Sequence, residues 1–359
     1  MDFDALRRRP DVEAPELKAW DAADTLILDE APALAGPVVV VHDSYGALTL
    51  GALSRGAERV RVHQDPLTGE LALVANAGGE TRYEHHPLDA SLVADARTVL
   101  LRLPRSLAAL DDAAALIAAH AHPDVVVVAG GRLKHMSLGM NDVLLKHFET
   151  LDVSHARGKS RVLTARGPRP TALPEPRTQR HDEFDLTLVA TGGAFAGPTV
   201  DIGSRVLLEH LPHAPLATRA IDLGCGTGVL AARLASLQPQ ARVLASDQSW
   251  AAVESARQTM AVNGLDVEVT RDDALSSEPS ASADLVLLNP PFHTGATVSP
   301  DLAPRLFEAA ARVLRPGGAL WTVYNSHLHY RPGLERLVGA TRQLERTPKF
   351  TLVESIRRG

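Results

Sequence analysis

An asparagine followed by two prolines and an aromatic residue, Asn289, Pro290, Pro291 and Phe292, closes the apolar run DLVLLNPPF. The prolines hold the backbone, so the Asn289 side-chain oxygen and the Pro290 carbonyl can face one point in space. Two acceptors meeting at one point suit an NH₂ donor. An amine conjugated with an aromatic ring is a poor nucleophile, because its lone pair is delocalised into the ring. Accepting both of its hydrogens aims it and draws the lone pair back onto nitrogen. Phe292 would stack on such a ring, a contact worth roughly 1–3 kcal/mol. A stiff loop that merely follows a strand is the bland alternative, and the residues upstream argue against it.

Those residues begin with DLGCGTG at 222–228. Behind Asp222, the glycines Gly224, Gly226 and Gly228 let the backbone turn tightly and approach a ligand with no Cβ in the way. Dinucleotide enzymes place a similar turn around a pyrophosphate, so the turn alone does not choose a cofactor. Asp247 ends the next apolar run, 25 residues on (247 − 222). A carboxylate there can accept both ribose hydroxyls, its competing role being to cap the helix that starts near Trp250. After a third strand, Asp272 and Asp273 precede Ala274. The carboxylate of Asp273 can meet an adenine amino group while Ala274 flanks the ring; a solvated turn is the alternative.

The elements that must carry these residues follow from periodicity. From Arg219 onward, apolar strands alternate with amphipathic helices, which predicts a mostly parallel sheet covered on both faces, a doubly wound α/β fold. Strands near 344–347 and 350–356 lie so close around Pro348 that only a hairpin joins them, predicting one antiparallel strand at the sheet edge, as in the methyltransferase variant of the Rossmann plan. Ahead of this block stand a strand at 185–191, a turn with Gly192, Gly193 and Gly197, and a helix at 202–211.

The first half repeats the rhythm more faintly in PVVVVHDSYGALTLGAL, RVRVHQD, TVLLRLPRSLAALDDAAALIAAH and DVVVVAGGR. Its first strand, like that of the second half, ends in an acid (Asp43 beside Asp222), and VLLRLP sits where VLLNPP sits. Arg102 and Leu103 there replace the acceptors. The expectation is a duplicated domain whose first copy, residues 1–170, is degenerate and serves RNA or substrate recognition. A Pro/Arg-rich linker at 171–184 and a catalytic domain at 185–359 follow.

Composition narrows the class. In 359 residues, 45% apolar and 22% charged, each half can bury its own core. The N-terminus lacks a signal peptide's apolar stretch, and no run approaches the roughly 18 apolar residues of a membrane span, so a cytoplasmic location without a membrane partner is expected. A single cysteine, Cys225, excludes an internal disulfide and a Cys-rich zinc site, and His42, His85, His86, His327 and His329 show no ligand spacing, so no metal is expected. A net charge of −6 argues against nucleic acid, yet 157–181 carries Arg157, Lys159, Arg161, Arg166, Arg169, Arg177 and Arg180 against the single acid Glu175. That run is either a phosphate contact or a solvated linker.

Together, DLGCGTG, NPPFH, the run TVDIGSRVLLEHLP from Thr199 and YNSHLHY from Tyr324 resemble the bacterial rRNA guanine-N2 methyltransferases. In the first half, LKAWDAADTLIL, VHDSYGALTLGAL and LRLPRSLAALDD resemble the branch that modifies large-subunit (23S) rRNA. The resemblance spans nearly the whole chain. It implies two tandem Rossmann-like class I methyltransferase domains and transfer of a methyl group from S-adenosyl-L-methionine to a guanine N2 amine, leaving S-adenosyl-L-homocysteine. Ribosomal RNA or a ribosomal subunit precursor is the implied partner of a monomeric enzyme. Asn289, Pro290, Pro291 and Phe292 would be catalytic. Asp201, Asp222, Gly224, Gly226, Gly228, Asp247, Asp273, Ala274 and Asn289 would hold the cofactor. Phe195, Phe292 and His293, with Arg166 and Arg169 of the basic run, would meet the RNA. Family members carry a phenylalanine, serine and arginine run before the aspartate matching Asp201; here the chain reads AFAGPTVDIG, so Phe195 remains and the arginine has no counterpart.

Three other readings keep part of this picture. The same chemistry on small-subunit (16S) rRNA is the nearest. NPP loops also serve methylation of adenine N6 or a glutamine amide, although the protein-directed enzymes favour NPPY. A non-catalytic RNA-binding ribosome-assembly factor is the reading from another class, and cofactor binding separates it from the enzymes.

Overall fold

The computed structural model describes residues 1–290 and 302–359. The chain forms two compact units, Met1–Glu175 and Pro176–Gly359.

The first unit runs α1 (Ala22–Glu30), β1 (Val38–Val41), α2 (Ala47–Ser54), β2 (Val60–His63), α3 (Leu67–Ala77), β3 (Tyr83–His85), α4 (Ala90–Val93), β4 (Thr98–Arg102), α5 (Leu107–His120), β5 (Val126–Arg132), α6 (Leu138–His147), β6 (Phe148–Val153) and β7 (Ser160–Pro168). The second runs β8 (Arg177–His181), β9 (Leu186–Ala190), α7 (Ile202–His210), β10 (Arg219–Leu223), α8 (Val229–Leu237), β11 (Arg242–Asp247), α9 (Trp250–Asn263), β12 (Glu268–Arg271), β13 (Ala283–Leu288), α10 (Leu302–Val313), β14 (Leu314–Asn325), α11 (Arg331–Leu337), β15 (Thr341–Arg346) and β16 (Phe350–Ile356).

Each unit builds a seven-stranded sheet with one topology: β3-β2-β1-β4-β5-β7-β6 in the first, β12-β11-β10-β13-β14-β16-β15 in the second. The central strands are apolar on both faces because helices cover both. Along β13, Leu285 and Leu287 pack into the core under α7 and α8, whereas Val286 and Leu288 pack with Phe307 of α10 on the other side. Such alternation is the period of a strand buried twice.

Three details differ from the sequence reading. The reversed strand is β16, and it lies one position in from the edge, between β14 and β15. The chain leaving β14 passes through α11 and lays down β15 as the outer strand, and the tight turn at Pro348 sends β16 back into the gap. Second, Asp43 and Asp222 are not equivalent. Val41 pairs with Leu101, and Leu223 with Leu288. The turns that follow end in left-handed N-cap glycines, Gly46 and Gly228, at the same remove. This register sets Asp222 against Val40 and Asp43 against Cys225. Both acids still reach the third N–H of the next helix: Thr49 N–H donates to Asp43 and Ala231 N–H to Asp222, at 2.9 and 3.0 Å.

Third, part of the stretch expected to be a linker is a strand. β8 pairs antiparallel with β9 as a separate two-stranded ribbon. The outer edge of β9 meets a helix: the N–H groups of Thr187, Val189 and Thr191 donate to Asn263 Oδ1, Thr259 Oγ1 and Ser255 Oγ, which stand four residues apart on α9. Among the described residues no helix is long and apolar enough to cross a membrane.

Candidate active site

The carboxyl ends of β10, β11 and β13 converge in the second unit, where open α/β sheets bind ligands. Gly224, Gly226 and Gly228 have φ of +73°, +55° and +79°, the left-handed region in which only glycine is unstrained. They serve differently. A Cβ on Gly224 or Gly226 would meet nothing within 4 Å, so the turn borders open space; one on Gly228 would fall 2.6 Å from Met260 Cε. The turn's own N–H groups are largely taken up inside the protein. Gly224 and Cys225 donate to the Ser246 carbonyl at 2.8 and 3.1 Å, Gly228 to that of Cys225 at 2.8 Å, and Gly226 to Asp247 Oδ2 at 3.0 Å. A pyrophosphate cradle needs such N–H groups aimed at the ligand. This turn offers glycine-lined open space without that ring of donors, which fits a cofactor that carries no phosphate.

Asp222 is fully buried beneath the turn, and its Oδ1 has no hydrogen-bond partner among the described residues. Burial, reinforced by the nearby charge of Asp247, pushes its carboxyl up to about 7. Asp247 joins two segments: besides Gly226, it accepts from Ser249 N–H through Oδ1 at 2.9 Å. Ser249 is the residue that caps α9, accepting from Ala252 N–H at 3.1 Å. Asp272 N–H donates to the Asp247 carbonyl, and burial of the Asp272 carboxyl is outweighed by hydrogen bonds from Ser276 and Ser277, which hold it below its ordinary value. Asp273 pairs with Arg305, and Ala274 takes a φ of +52°.

Asn289 follows β13 directly, beside the turn, since Leu288 pairs with Leu223. Its Nδ2 donates to Asp201 Oδ1 and Oδ2 at 3.2 and 3.3 Å and to Ser204 Oγ at 3.0 Å. Its Oδ1 is buried and has no partner among the described residues. Asp201 is the N-cap of α7 and accepts from Gly203 and Ser204 N–H at 2.9 and 3.2 Å. Sequence reasoning passed over Ser204 and Gly203, although an acid followed three residues later by a hydroxyl at a helix start is a local signal for them. Pro290 is buried. Pro291, Phe292 and His293 lie outside the described residues.

Phe195 is 82% exposed on the connection from β9 to α7. Three of the seven cations of the basic run are ion-paired: Arg166 with Asp152 at 2.6 Å, Arg157 with Asp29 at 2.5 Å, and Arg180 with Asp182 and Asp185. Arg169 is exposed. Among the described residues no three His, Cys, Asp or Glu side chains gather as a metal set.

At the register position of Asn289, the first unit carries Arg102. It bonds to Asp21, the N-cap of α1, at 2.6 Å and to Asp24 three residues further on. Asp201 and Ser204 occupy those same two positions on α7.

The Methyltransferase small domain model matches residues 185–354, and the RLMG N-terminal domain model matches residues 2–169. The Ribosomal RNA large subunit methyltransferase G of Shewanella amazonensis is 34% identical over 370 residues, covering 98% of this chain and 96% of the relative. That of Pseudomonas aeruginosa (strain UCBPP-PA14) is 35% identical, with the same coverage, and that of Streptomyces avermitilis is 34% identical over 99% of this chain and 97% of its own. The solved T. Thermophilus 16S rRNA N2 methyltransferase, in complex with AdoMet and guanosine, superposes with a TM-score of 0.78 at 23% identity, covering 97% of both chains, a likeness of fold. With both domain models matched and full-length relatives above 30% identity, the chain belongs to the ribosomal RNA large subunit methyltransferase G family, enzymes that use S-adenosylmethionine.

Proposed function

We propose that the second unit methylates the exocyclic N2 amine of a guanine in large-subunit (23S) rRNA. The observation that carries this reading is the Asn289 Oδ1, a buried acceptor without a partner among the described residues, beside a glycine turn whose flank is open among them. Bound S-adenosylmethionine supplies a methyl carbon on a sulfonium, which the amine nitrogen takes as the C–S bond breaks, the surplus amine proton passing to water. The protein's share is geometry. Asn289 Oδ1 and the Pro290 carbonyl accept the two amine hydrogens and turn the nitrogen lone pair toward the cofactor. Neither group takes up a proton, so orientation carries the rate, a contribution that reaches about 7–11 kcal/mol in favourable cases. Asp222, Gly224, Gly226, Gly228, Asp247, Asp273 and Ala274 would hold the cofactor, and Phe292, with Phe195 and His293, the base; Asp201 and Asn289, expected among the cofactor's holders, are instead bonded to each other and serve the amine.

A paired guanine hides its N2, so the target lies in an open region or is turned out of its stack. The first unit, whose equivalent position holds an ion pair in place of an acceptor, recognises the RNA, with Arg166 and Arg169 as phosphate contacts. The large-subunit assignment rests on the names of the full-length relatives.

The test is mass mapping of rRNA from cells lacking the protein, followed by addition of the purified enzyme and cofactor to naked 23S rRNA, naked 16S rRNA and isolated subunits. A missing N2-methylguanine in 23S rRNA, restored on addition, is the expected result. A lesion confined to 16S rRNA, or none, overturns the reading.

A further inference from the structure

The amide of Asn289 has two ends of nearly the same shape and opposite character, and only one can serve an amine. Which end faces the substrate is decided by what holds the other. Both Nδ2 hydrogens are engaged, by the Asp201 carboxylate and by Ser204 Oγ. A carboxylate accepts only. Rotating the amide by half a turn would set Oδ1 against the Asp201 oxygens at about the same separation, two acceptors with no hydrogen between them. Asp201 is itself fixed by two backbone N–H groups at the start of α7. Gly203 completes the support: a Cβ there would lie 3.2 Å from Asn289 Oδ1 and 3.1 Å from Asp201 Oδ1, tighter than side chains normally sit.

We propose that Asp201, assisted by Ser204, is a positioning residue that locks the Asn289 amide with its oxygen toward the substrate, making the site an acceptor that admits only an amine donor. The first unit supplies an internal comparison. There the N-cap and third residue of α1 are Asp21 and Asp24, and the same two places grip a guanidinium. One scaffold of helix start and strand tip thus holds a hydrogen-bond donor in both units, and only in the second does the held group have an acceptor end left over.

The inference rests on the role of Asn289 given above, and the experiment separates the two. Asparagine is a competent N-cap, so Asp201→Asn keeps α7 in place while removing the group that can only accept. With total rRNA from cells lacking the protein as substrate, Asp201→Asn is expected to lower kcat on the order of 10²-fold. Its affinity for S-adenosylhomocysteine, read by calorimetry, should stay within about twofold of the parent. Full kcat in Asp201→Asn with none in Asn289→Ala would overturn the positioning role alone. Activity in both would overturn the role of Asn289 as well. A fall in cofactor affinity matching the fall in kcat would move Asp201 into the cofactor site and overturn the proposal.

A second readout is the pH profile. Asn289→Asp places two carboxyl groups within hydrogen-bonding distance, so they share a proton and one titrates high. Its activity should appear on the acid side and fall as pH rises. Adding Asp201→Asn should abolish that dependence and restore activity at neutral pH, because the amide at 201 can then donate to the carboxylate at 289. Identical profiles for the single and double variants would overturn the proposal.

Discussion

The Asp247 carboxylate bridges Gly226 and Ser249: Oδ2 accepts from the middle of the glycine turn at 3.0 Å, and Oδ1 from the residue that caps α9 at 2.9 Å. One side chain therefore sets the spacing between the turn behind β10 and the helix behind β11. Replacing Asp247 with Ala is expected to weaken S-adenosylmethionine binding by roughly 10- to 100-fold, the value of one or two hydrogen bonds to a charged group. Calorimetry checks this, and unchanged affinity would count against the cofactor role.

The glycines of the turn should separate by phenotype. Gly228→Ala drives a Cβ into Met260 and Ala256 at positive φ and should cost about 1–3 kcal/mol of stability in urea titration. Gly224→Ala meets no neighbour, so its stability loss should stay near 1 kcal/mol, the strain of a left-handed alanine. Cofactor affinity should suffer more from Gly224→Ala, because its methyl group projects into the open flank. The reverse ranking would place the cofactor elsewhere.

Asp222 should leave a signature in the pH dependence of stability. Its carboxyl titrates near 7 when folded against 3.8 ordinarily. The native state therefore holds a proton that the unfolded chain has released between those values. The contribution is fully present below about 4, is lost as pH rises through 7, and amounts to roughly 4 kcal/mol at about 1.4 per unit. Asp222→Asn removes this slope. The stability of the variant relative to the parent should climb between pH 4 and 8; a flat difference would show that the carboxyl stays ionised.

Arg102 neutralises two carboxylates, one of them, Asp24, 1% exposed and pushed upward by burial against the opposing pull of Arg102. Arg102→Ala is expected to destabilise the first unit by about 3–5 kcal/mol, the cost of stranding buried charge. Hydrogen exchange at residues 98–102 would report it. S-adenosylhomocysteine affinity should not change.

The turn at 222–228 and Asn289 were legible because chemistry restricts what can stand there: no other side chain tolerates positive φ next to a ligand as glycine does, and few residues end a buried strand in an amide and two prolines. The architecture was legible through strand and helix periods. What supports Asn289 was not, since Asp201 and Ser204 lie 88 and 85 residues away in the chain. Their pairing is a property of topology. The misalignment of Asp43 with Asp222 had a related cause, because each satisfies the same helix N–H from a different point on its strand. β8 escaped detection because RTQRH is mostly exposed and held by backbone bonding, so it carries no apolar alternation.

The ladder of Ser255, Thr259 and Asn263 along β9 has a consequence for solubility. A strand with a bare outer edge is a template on which a second copy can nucleate. Here the β9 edge is closed by side chains of α9 from within the same domain, so that edge offers no template for chain-to-chain growth. Thr259→Val would remove one rung and, with it, part of the molecule's protection against self-association.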